Sequence, residues 1–364
     1  MALIKCPECG WNVSTLADAC PHCGCPVKKM IIADVSEDVS DIFNRGMQHL
    51  QGDGVAQNYE KGIAYLLRAA EQGYAKAQNN LGTMYAEGRG VSQDFQRAAE
   101  WYQKAAEQGN VDAQFNLGIM YANGLGRLQD FQKAAEWYQK AAEQGYDYAQ
   151  FNLGLLYDTG NGVPQDFQKA AEWYQKAAEQ GNIRAQSNLA MMYAKGEGVM
   201  QDFQKAAEWY QKAAEQGDDN AQFCLALAYI EGKGVPQNFQ KAAEWCQKAA
   251  ERGNARAQSN LGIMYTKGEG VTQDFQKAAE WYQKAAEQGD ADAQFSLGAA
   301  YYGGEGLPQS YQKASEYFLR AAEQGNARAQ FNLAIMYWHG LGVPLDRAKA
   351  VEWQQKAAAQ GITG

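Results

Sequence analysis

Four cysteines near the N-terminus, Cys6, Cys9, Cys20 and Cys23, have the residue type and the spacing to bind a metal ion. They form two Cys-x-x-Cys pairs, and in each pair proline follows the first cysteine and glycine follows the second. Four thiolates make a soft, closed ligand set, for which tetrahedral Zn²⁺ is the usual ion. The glycines allow tight turns whose backbone amides approach the sulfur atoms. We therefore predict a structural Zn²⁺ site held by these four side chains.

Other ligands and other thiol chemistry are open alternatives. Cys25 and His22 lie close enough in the sequence to reach the same ion. Redox use of a Cys-x-x-Cys motif normally places one pair at a helix N-terminus in a βαβ setting, which this segment lacks. A disulfide framework is typical of exported proteins, and the sequence shows no export signal. The pattern therefore favours zinc.

The segment that positions these cysteines resembles the short zinc-ribbon family found at the N-termini of many bacterial proteins. The resemblance covers residues 4–27 and implies a structural site with four cysteine ligands. About thirty residues bury too little apolar surface to fold alone, so metal binding would supply about 10 kcal/mol or more of folding free energy. We expect a zinc ribbon over residues 1–28, serving as a cap or a docking piece, and a linker over residues 29–39.

The remaining residues repeat with a period of 36, and tyrosine marks the period. The tyrosines concerned are Tyr85, Tyr121, Tyr157, Tyr193, Tyr229, Tyr265, Tyr301 and Tyr337. A period of this length is typical of a solenoid in which each unit contacts only its neighbours. We expect residues 40–364 to form one all-α solenoid of stacked helix pairs instead of separate cores.

One repeat, residues 110–145, contains its own start and stop signals. Helix A follows the capping residue Asn110 and stops at Gly124, and helix B follows Asp130 and closes at Gly145. Apolar residues recur at helical spacing in both helices, so their two faces must meet. We expect this helical hairpin in every repeat.

Small and aromatic residues indicate how the two helices pack. Gly118, replaced by alanine in some repeats, suits a point where two backbones pass closely, because a large residue there would wedge the hairpin open. The tyrosine and tryptophan columns are expected in the core instead of on a ligand-stacking surface. In the last repeat Gln354 takes the place of an aromatic residue, as expected for a helix with no further neighbour.

These segments resemble the Sel-1-like repeat family, which is related to the tetratricopeptide (TPR) repeats. The resemblance is carried by residues 113–121, by Gly124 and Gly126, and by residues 133–142. It implies a right-handed superhelix of helix pairs that binds proteins or peptides and assembles complexes. It covers about nine repeats, of which the first, beginning near Ser40, and the last are atypical.

A column of asparagines on helix A is the candidate partner-binding site. This asparagine ladder consists of Asn80, Asn116, Asn152, Asn188, Asn260 and Asn332. Each member precedes the repeat tyrosine by five residues, which is the offset of the clamp asparagine in the concave groove of TPR peptide receptors. An amide both donates and accepts, so it can hydrogen-bond the backbone of a bound peptide. The alternative is that each asparagine ties neighbouring helices together.

Helix A varies between repeats more than helix B does. Residues 131–145 recur unchanged three times, whereas one variable slot of helix A changes chemistry from repeat to repeat. That slot holds Asp112, Tyr148, Arg184, Asn220, Arg256, Asp292 and Arg328. Because packing alone does not demand such variation, we predict that the concave helix A surface binds the partner and that helix B is the scaffold.

Charge and hydropathy restrict the classes of partner. The net charge of −9 and a pI near 5.1 provide no overall field for phosphate backbones or anionic lipid, so nucleic acid is not expected as a partner. The longest apolar run after the cysteines, Met30 to Ala33, is far too short to insert into a membrane. We expect a cytoplasmic protein.

Catalysis is not expected. Some secreted, cysteine-rich members of the Sel-1-like repeat family have been discussed as hydrolases, but those members cross-link each repeat with a cysteine pair. Here the repeats hold only Cys224 and Cys246, which we expect to be two buried thiols. The histidines His22, His49 and His339 are scattered, and neither a nucleophile elbow nor a phosphate loop is present. We predict a non-catalytic adaptor without a small-molecule substrate; the alternatives are a hydrolase and a nucleic-acid-associated regulator led by the zinc ribbon.

Overall fold

The computed structural model of the protein describes residues 3–5, 12–14, 22 and 38–362. The four cysteines predicted to bind zinc, and Cys25, lie outside the described residues. The chain divides into two compact units, Met1–Gln165 and Asp166–Gly364, which we call the first and the second unit.

The first unit begins with a short β-hairpin and continues as helices. Strands β1 (Leu3–Lys5) and β2 (Asn12–Ser14) pair antiparallel, with Ile4 opposite Val13. The helices of this unit are α1 (Val39–Gln51), α2 (Tyr59–Glu71), α3 (Ala75–Glu87), α4 (Phe95–Glu107), α5 (Val111–Asn123), α6 (Phe131–Glu143) and α7 (Asp147–Thr159).

Helices are the only regular secondary structure in the described residues of the second unit. Its helices are α8 (Phe167–Glu179), α9 (Ile183–Lys195), α10 (Phe203–Glu215), α11 (Asp219–Glu231), α12 (Phe239–Glu251), α13 (Ala255–Lys267), α14 (Phe275–Glu287), α15 (Ala291–Gly303), α16 (Tyr311–Glu323), α17 (Ala327–His339) and α18 (Arg347–Ala358). Odd-numbered helices correspond to helix A and even-numbered helices to helix B. Within residues 38–362 the predicted all-α architecture of helix pairs is therefore confirmed.

The predicted capping residues start and stop these helices. The Asn110 side chain accepts a hydrogen bond from the Ala113 backbone N–H at 2.9 Å, and Asp130 accepts one from the Lys133 N–H at 2.9 Å. Gly124 closes α5 with a φ of 68°, a left-handed conformation that only glycine adopts without strain. The local signals of the sequence thus fix the bounds of most helices, whereas α3 and α7 begin after Tyr74 and Tyr146 without a side-chain cap.

A glycine on helix A allows an aromatic ring of helix B to pack against its backbone. A Cβ atom added to Gly118 would lie 2.5 Å from the Cε1 atom of Tyr138, and Tyr138 is only 3% exposed. The same close approach joins Gly82 to Tyr102 and Gly262 to Tyr282. The prediction that glycine marks a close passage is confirmed, although the passage is between a backbone and a ring.

Where alanine replaces this glycine, the matching position of helix B changes as well. In the repeat of Ala190, Tyr210 is half-buried instead of buried. In the repeat of Ala226, the tyrosine is replaced by Cys246, which is fully buried. In the repeat of Ala334 the matching residue is Gln354, which is exposed. A methyl group at this position of helix A thus goes with a more exposed ring, or with a residue other than an aromatic one, at the matching position of helix B.

The prediction that the tyrosine and tryptophan columns lie in the core is only partly right. Tyr121 and Trp137 are buried, but most members of both columns are half-buried. Lysine covers their outer faces: the Lys140 Nζ atom lies 3.9 Å from the centre of the Trp137 ring, and that of Lys133 lies 5.4 Å from the Tyr121 ring. The aliphatic stem of lysine shields the ring while its charge stays in water, so full burial is unnecessary.

Substitution of Gly118 tests the close packing. Because the new methyl group must displace the Tyr138 ring, Gly118→Ala should lower the free energy of unfolding by about 1–3 kcal/mol in urea titrations. The double variant Gly118→Ala/Tyr138→Cys, which copies the native Ala226 and Cys246 combination, should lose less than the sum of the two single variants. Fully additive losses would contradict this contact.

Candidate partner-binding face of the A helices

Each A helix has one face that its neighbours leave partly open. In α5 it is formed by Asp112, Asn116, Ile119 and Asn123, which are separated by four, three and four residues and so lie on one side of the helix. The first and last of these positions are exposed in every repeat from α3 to α17, and the asparagine position is half-buried. We call the surface formed by these four positions the helix A face.

The asparagine ladder lies on this face, and all six members are half-buried. Asn152 and Asn260 donate to backbone oxygen atoms of their own helices, those of Tyr148 at 2.7 Å and Arg256 at 3.0 Å. Asn80 donates to the Met47 sulfur at 3.1 Å, which is the single side-chain hydrogen bond found from the ladder to a neighbouring helix within the described residues.

The other three ladder members have amides available to a ligand. Asn116, Asn188 and Asn332 make no side-chain hydrogen bond to any residue that the structure describes. Their partial burial limits competition from water, which strengthens a hydrogen bond formed there. Among the described residues, none of these three amides therefore forms a hydrogen bond that ties neighbouring helices together.

An apolar column on the same face was not recognised from the sequence. Its members are half-buried or exposed: Thr83, Ile119, Leu155, Met191, Leu227, Ile263, Ala299 and Ile335. Ile119 lies three residues after the ladder residue Asn116, one turn further along the helix. The available signal was an apolar residue that recurs outside the core stripe of the helix. The face thus combines amides with apolar contact area.

Buried glutamines set the position of each A helix. Gln114 is 5% exposed; it donates to the Ala106 carbonyl oxygen of α4 at 3.1 Å and accepts from the Gln144 Nε2 atom, beyond α6, at 2.7 Å. The same pair of bonds forms at Gln78, Gln186, Gln258, Gln294 and Gln330. We call these bonds the glutamine relay. It was not predicted from the sequence, although glutamine recurs at the helix A position in every repeat from Gln78 to Gln330.

The glutamine relay is broken in the second unit. Arg252 takes the place of the glutamine that follows helix B, and the Gln222 Oε1 atom is buried without a hydrogen-bond partner among the described residues. Gln222 still donates to the Ala214 carbonyl oxygen at 3.0 Å. A buried acceptor without a partner costs free energy, so this junction is weaker than its equivalents.

Grooves open along the helix A face. Within the first unit, a groove of about 190 Å³ is lined by Asn80 together with Met47 and Tyr59. Within the second unit, a groove of about 670 Å³ is lined by Asn260 and Arg256 among others. Two predicted ladder residues therefore border grooves.

The cysteines of the repeats are free thiols; Cys246 is buried as predicted, but Cys224 is only half-buried. Burial raises the pKa of Cys246 to about 12. Burial also raises the pKa of Cys224, an effect that is partly opposed by a hydrogen bond with Tyr210. Because the thiolate is the nucleophile, a raised pKa makes both side chains poor nucleophiles at neutral pH.

The histidines and the acidic residues give no further sign of a metal centre. His49 stacks on Tyr65 with ring centres 5.8 Å apart, and His339 is exposed at the end of α17. Within the described ranges no group of three or more histidine, cysteine, aspartate or glutamate side chains is arranged to hold a metal ion. In the same ranges no helix is both long enough and apolar enough to cross a membrane.

The repeated hairpins and the helix A face define a helical-repeat protein. The chain belongs to the Sel1 repeat family, which confirms the resemblance found in the sequence. The family matches residues 42–74, 75–110, 111–146, 147–182, 183–218, 220–254, 255–290, 291–326 and 327–362. These nine segments include the first, atypical repeat.

Two solved structures are similar over most of the chain. A Sel1 repeat protein from Oxalobacter formigenes is 38% identical with a TM-score of 0.65, and the match covers 87% of this chain and 90% of that one. A protective antigen of uropathogenic Escherichia coli strains, displaying an SLR fold, is 35% identical with a TM-score of 0.67, and the match covers 89% of this chain and 77% of that one. No curated protein matches the chain.

Repair of the glutamine relay should stabilise the protein. Arg252→Gln supplies the missing donor to Gln222 and should raise the free energy of unfolding by roughly 1 kcal/mol, measured as a higher urea midpoint. The matched control is Gln288→Arg, which removes the bond to Gln258 and should lower stability by a similar amount. A midpoint that stays unchanged or falls on Arg252→Gln would contradict the role of the relay.

Proposed function

We propose that this protein is a non-catalytic scaffold or adaptor that binds proteins or peptides through the helix A face and assembles them into complexes. The observation that carries the proposal is the row of half-buried asparagine amides beside exposed positions that differ from repeat to repeat. Sel1 repeat proteins generally act as protein-interaction scaffolds, which supports the same conclusion.

The chemistry of the helix A face suits an extended peptide. The available amides of Asn116, Asn188 and Asn332 can each donate to and accept from a peptide backbone. The apolar column that contains Ile119 offers area for side chains of the peptide, and the variable slot supplies selectivity. A surface repeated along many hairpins can hold a long segment or several partners.

The proposal includes no catalytic step, no small-molecule substrate, no nucleic acid and no membrane insertion. The raised pKa values of Cys224 and Cys246 speak against thiol nucleophiles in the repeats. The net charge of −9 speaks against a general affinity for nucleic acid. A cytoplasmic location belongs to the proposal, since the thiols of the repeats are free.

We also propose that Cys6, Cys9, Cys20 and Cys23 hold a structural Zn²⁺ ion. The donor set of four thiolates fits zinc, and the hairpin supports the arrangement, because β1 ends at Lys5 directly before the first pair and β2 begins at Asn12 shortly after it. When bound, the ion would hold the fold of the N-terminal segment and would take no part in a reaction.

The asparagine ladder can be tested with the three members that have no internal hydrogen bond. Asn116→Ala/Asn188→Ala/Asn332→Ala should leave the melting temperature within about 2 °C while it weakens partner binding at least tenfold, since each lost hydrogen bond contributes roughly 0.5–1.5 kcal/mol. Binding is measured by quantitative cross-linking and affinity capture from the native cell.

The control for this experiment replaces exposed glutamines of the B helices, as in Gln132→Ala/Gln276→Ala. These changes should leave capture unchanged. A fall in melting temperature with normal capture of the same proteins by the asparagine variant would contradict the proposed role of the ladder and would favour a structural one.

The zinc site predicts a metal content of about one Zn²⁺ per chain by inductively coupled plasma mass spectrometry. Cys6→Ser/Cys9→Ser should abolish this zinc content and leave the helical circular dichroism of the repeats unchanged, because these do not depend on the ion. Cys25→Ser and Cys224→Ser should keep the zinc. Loss of zinc on Cys25→Ser alone would contradict the proposed ligand set and show that Cys25 takes the place of one of the four cysteines.

A further inference from the structure

In the second unit the variable slot is most often occupied by a positively charged residue. It is occupied there by Arg184, Asn220, Arg256, Asp292 and Arg328, so that arginine returns in every other repeat. All five side chains are exposed. Because the whole chain carries a net charge of −9, three exposed arginines in one column oppose the overall sign of the protein. Packing does not explain them, since none of the three is buried.

Two of these arginines line the groove of about 670 Å³ in the second unit. Arg256, Lys267 and the ladder residue Asn260 come from α13, and Arg328 comes from α17. Ser296, which occupies the ladder position of α15, also lines it. The volume is within the usual range for ligand-binding sites, and the groove combines positive charge with hydrogen-bonding side chains.

The acidic residues of the groove are already engaged. Asp290 caps α15 by accepting from the Ala293 backbone N–H at 2.7 Å, and Asp292 accepts from the Asn326 side-chain amide at 2.9 Å. Both lie at the N-terminus of α15, where the helix dipole stabilises a carboxylate without removing its charge. They are therefore committed to holding helices in place.

The two arginines, by contrast, have no acidic partner. Neither Arg256 nor Arg328 forms an ion pair with any residue in the part of the chain that the structure describes. The Arg256 guanidinium lies 5.0 Å from the centre of the Phe223 ring, a cation–π contact that restrains the side chain without neutralising it. Arginine is the side chain best suited to bidentate pairing with a carboxylate.

We propose that this groove binds an acidic, extended peptide segment of a protein partner. Arg256 and Arg328 pair with Asp or Glu carboxylates of the segment, and Asn260 hydrogen-bonds its backbone. The inference rests on the proposed scaffold function and names the chemistry of one partner. A peptide fits better than a nucleic acid, because Asp290 and Asp292 in the wall repel a continuous row of phosphates, whereas separate carboxylates can bind away from them.

The test uses the full chain and two fluorescent peptides built from repeated Gly-Ser pairs. Each pair is followed by a glutamate in one peptide and by a glutamine in the other. Fluorescence anisotropy should show at least tenfold tighter binding of the glutamate peptide at low salt, with the difference shrinking as salt is added. Arg256→Gln/Arg328→Gln should abolish the difference. The matched control is Arg184→Gln, which changes the same slot outside this groove and should retain it.

Equal binding of the two peptides, or no binding of either, would overturn the proposal. Tighter, arginine-dependent binding of a single-stranded oligonucleotide than of the glutamate peptide would also overturn it, in favour of nucleic acid. The scaffold function is judged separately: if the double arginine variant captures the native partners normally and the triple asparagine variant does not, the acidic-peptide inference fails while the scaffold function stands.

Discussion

The structure depends on the requirement that every buried polar atom find a partner, and the glutamine relay meets that requirement across successive hairpins. Gln114 is buried where no water can reach its amide, so its two bonds must come from helix B of the preceding repeat and from the glutamine that follows helix B of its own repeat. A hairpin that shifted relative to its neighbour would leave both groups unpaired. Where both bonds are present, the relay therefore fixes the position of the A helix relative to its two neighbouring B helices.

The volume of the packed side chains is a second constraint on the hairpins, in addition to the glutamine relay. The Tyr138 ring packs directly against the Gly118 backbone, and this contact brings helix B close to that one side of helix A. Gly126 also lies at a close approach between two segments. A Cβ atom added there would lie 2.3 Å from the Phe95 carbonyl carbon at the start of α4. Because side chains fill the inner faces, the opposite face of helix A stays open. The open helix A face is thus a consequence of how the hairpins pack.

The repeat of α11 and α12 departs from the others in several ways at once. Cys224 interrupts the asparagine ladder, Cys246 replaces the packed tyrosine, and Arg252 breaks the glutamine relay. Nearby, the Arg256 guanidinium packs on the ring of Phe223. The least regular repeat therefore lies next to the groove that Arg256 and Arg328 line.

The sequence by itself determined the repeat, most bounds of the helices and the paired spacing of the four N-terminal cysteines. Caps such as Asn110 and turns such as Gly124 act within a few residues of their own position, and such local preferences can be recognised from neighbouring residues alone. The tertiary structure decided what depends on residues far apart. Gln144 meets Gln114 across 30 positions of sequence, and Ile119 is left on an open face only because its neighbours fill the opposite side. Which amides are free to bind and which charges lack a partner are properties of packing between repeats, so only the folded chain shows them.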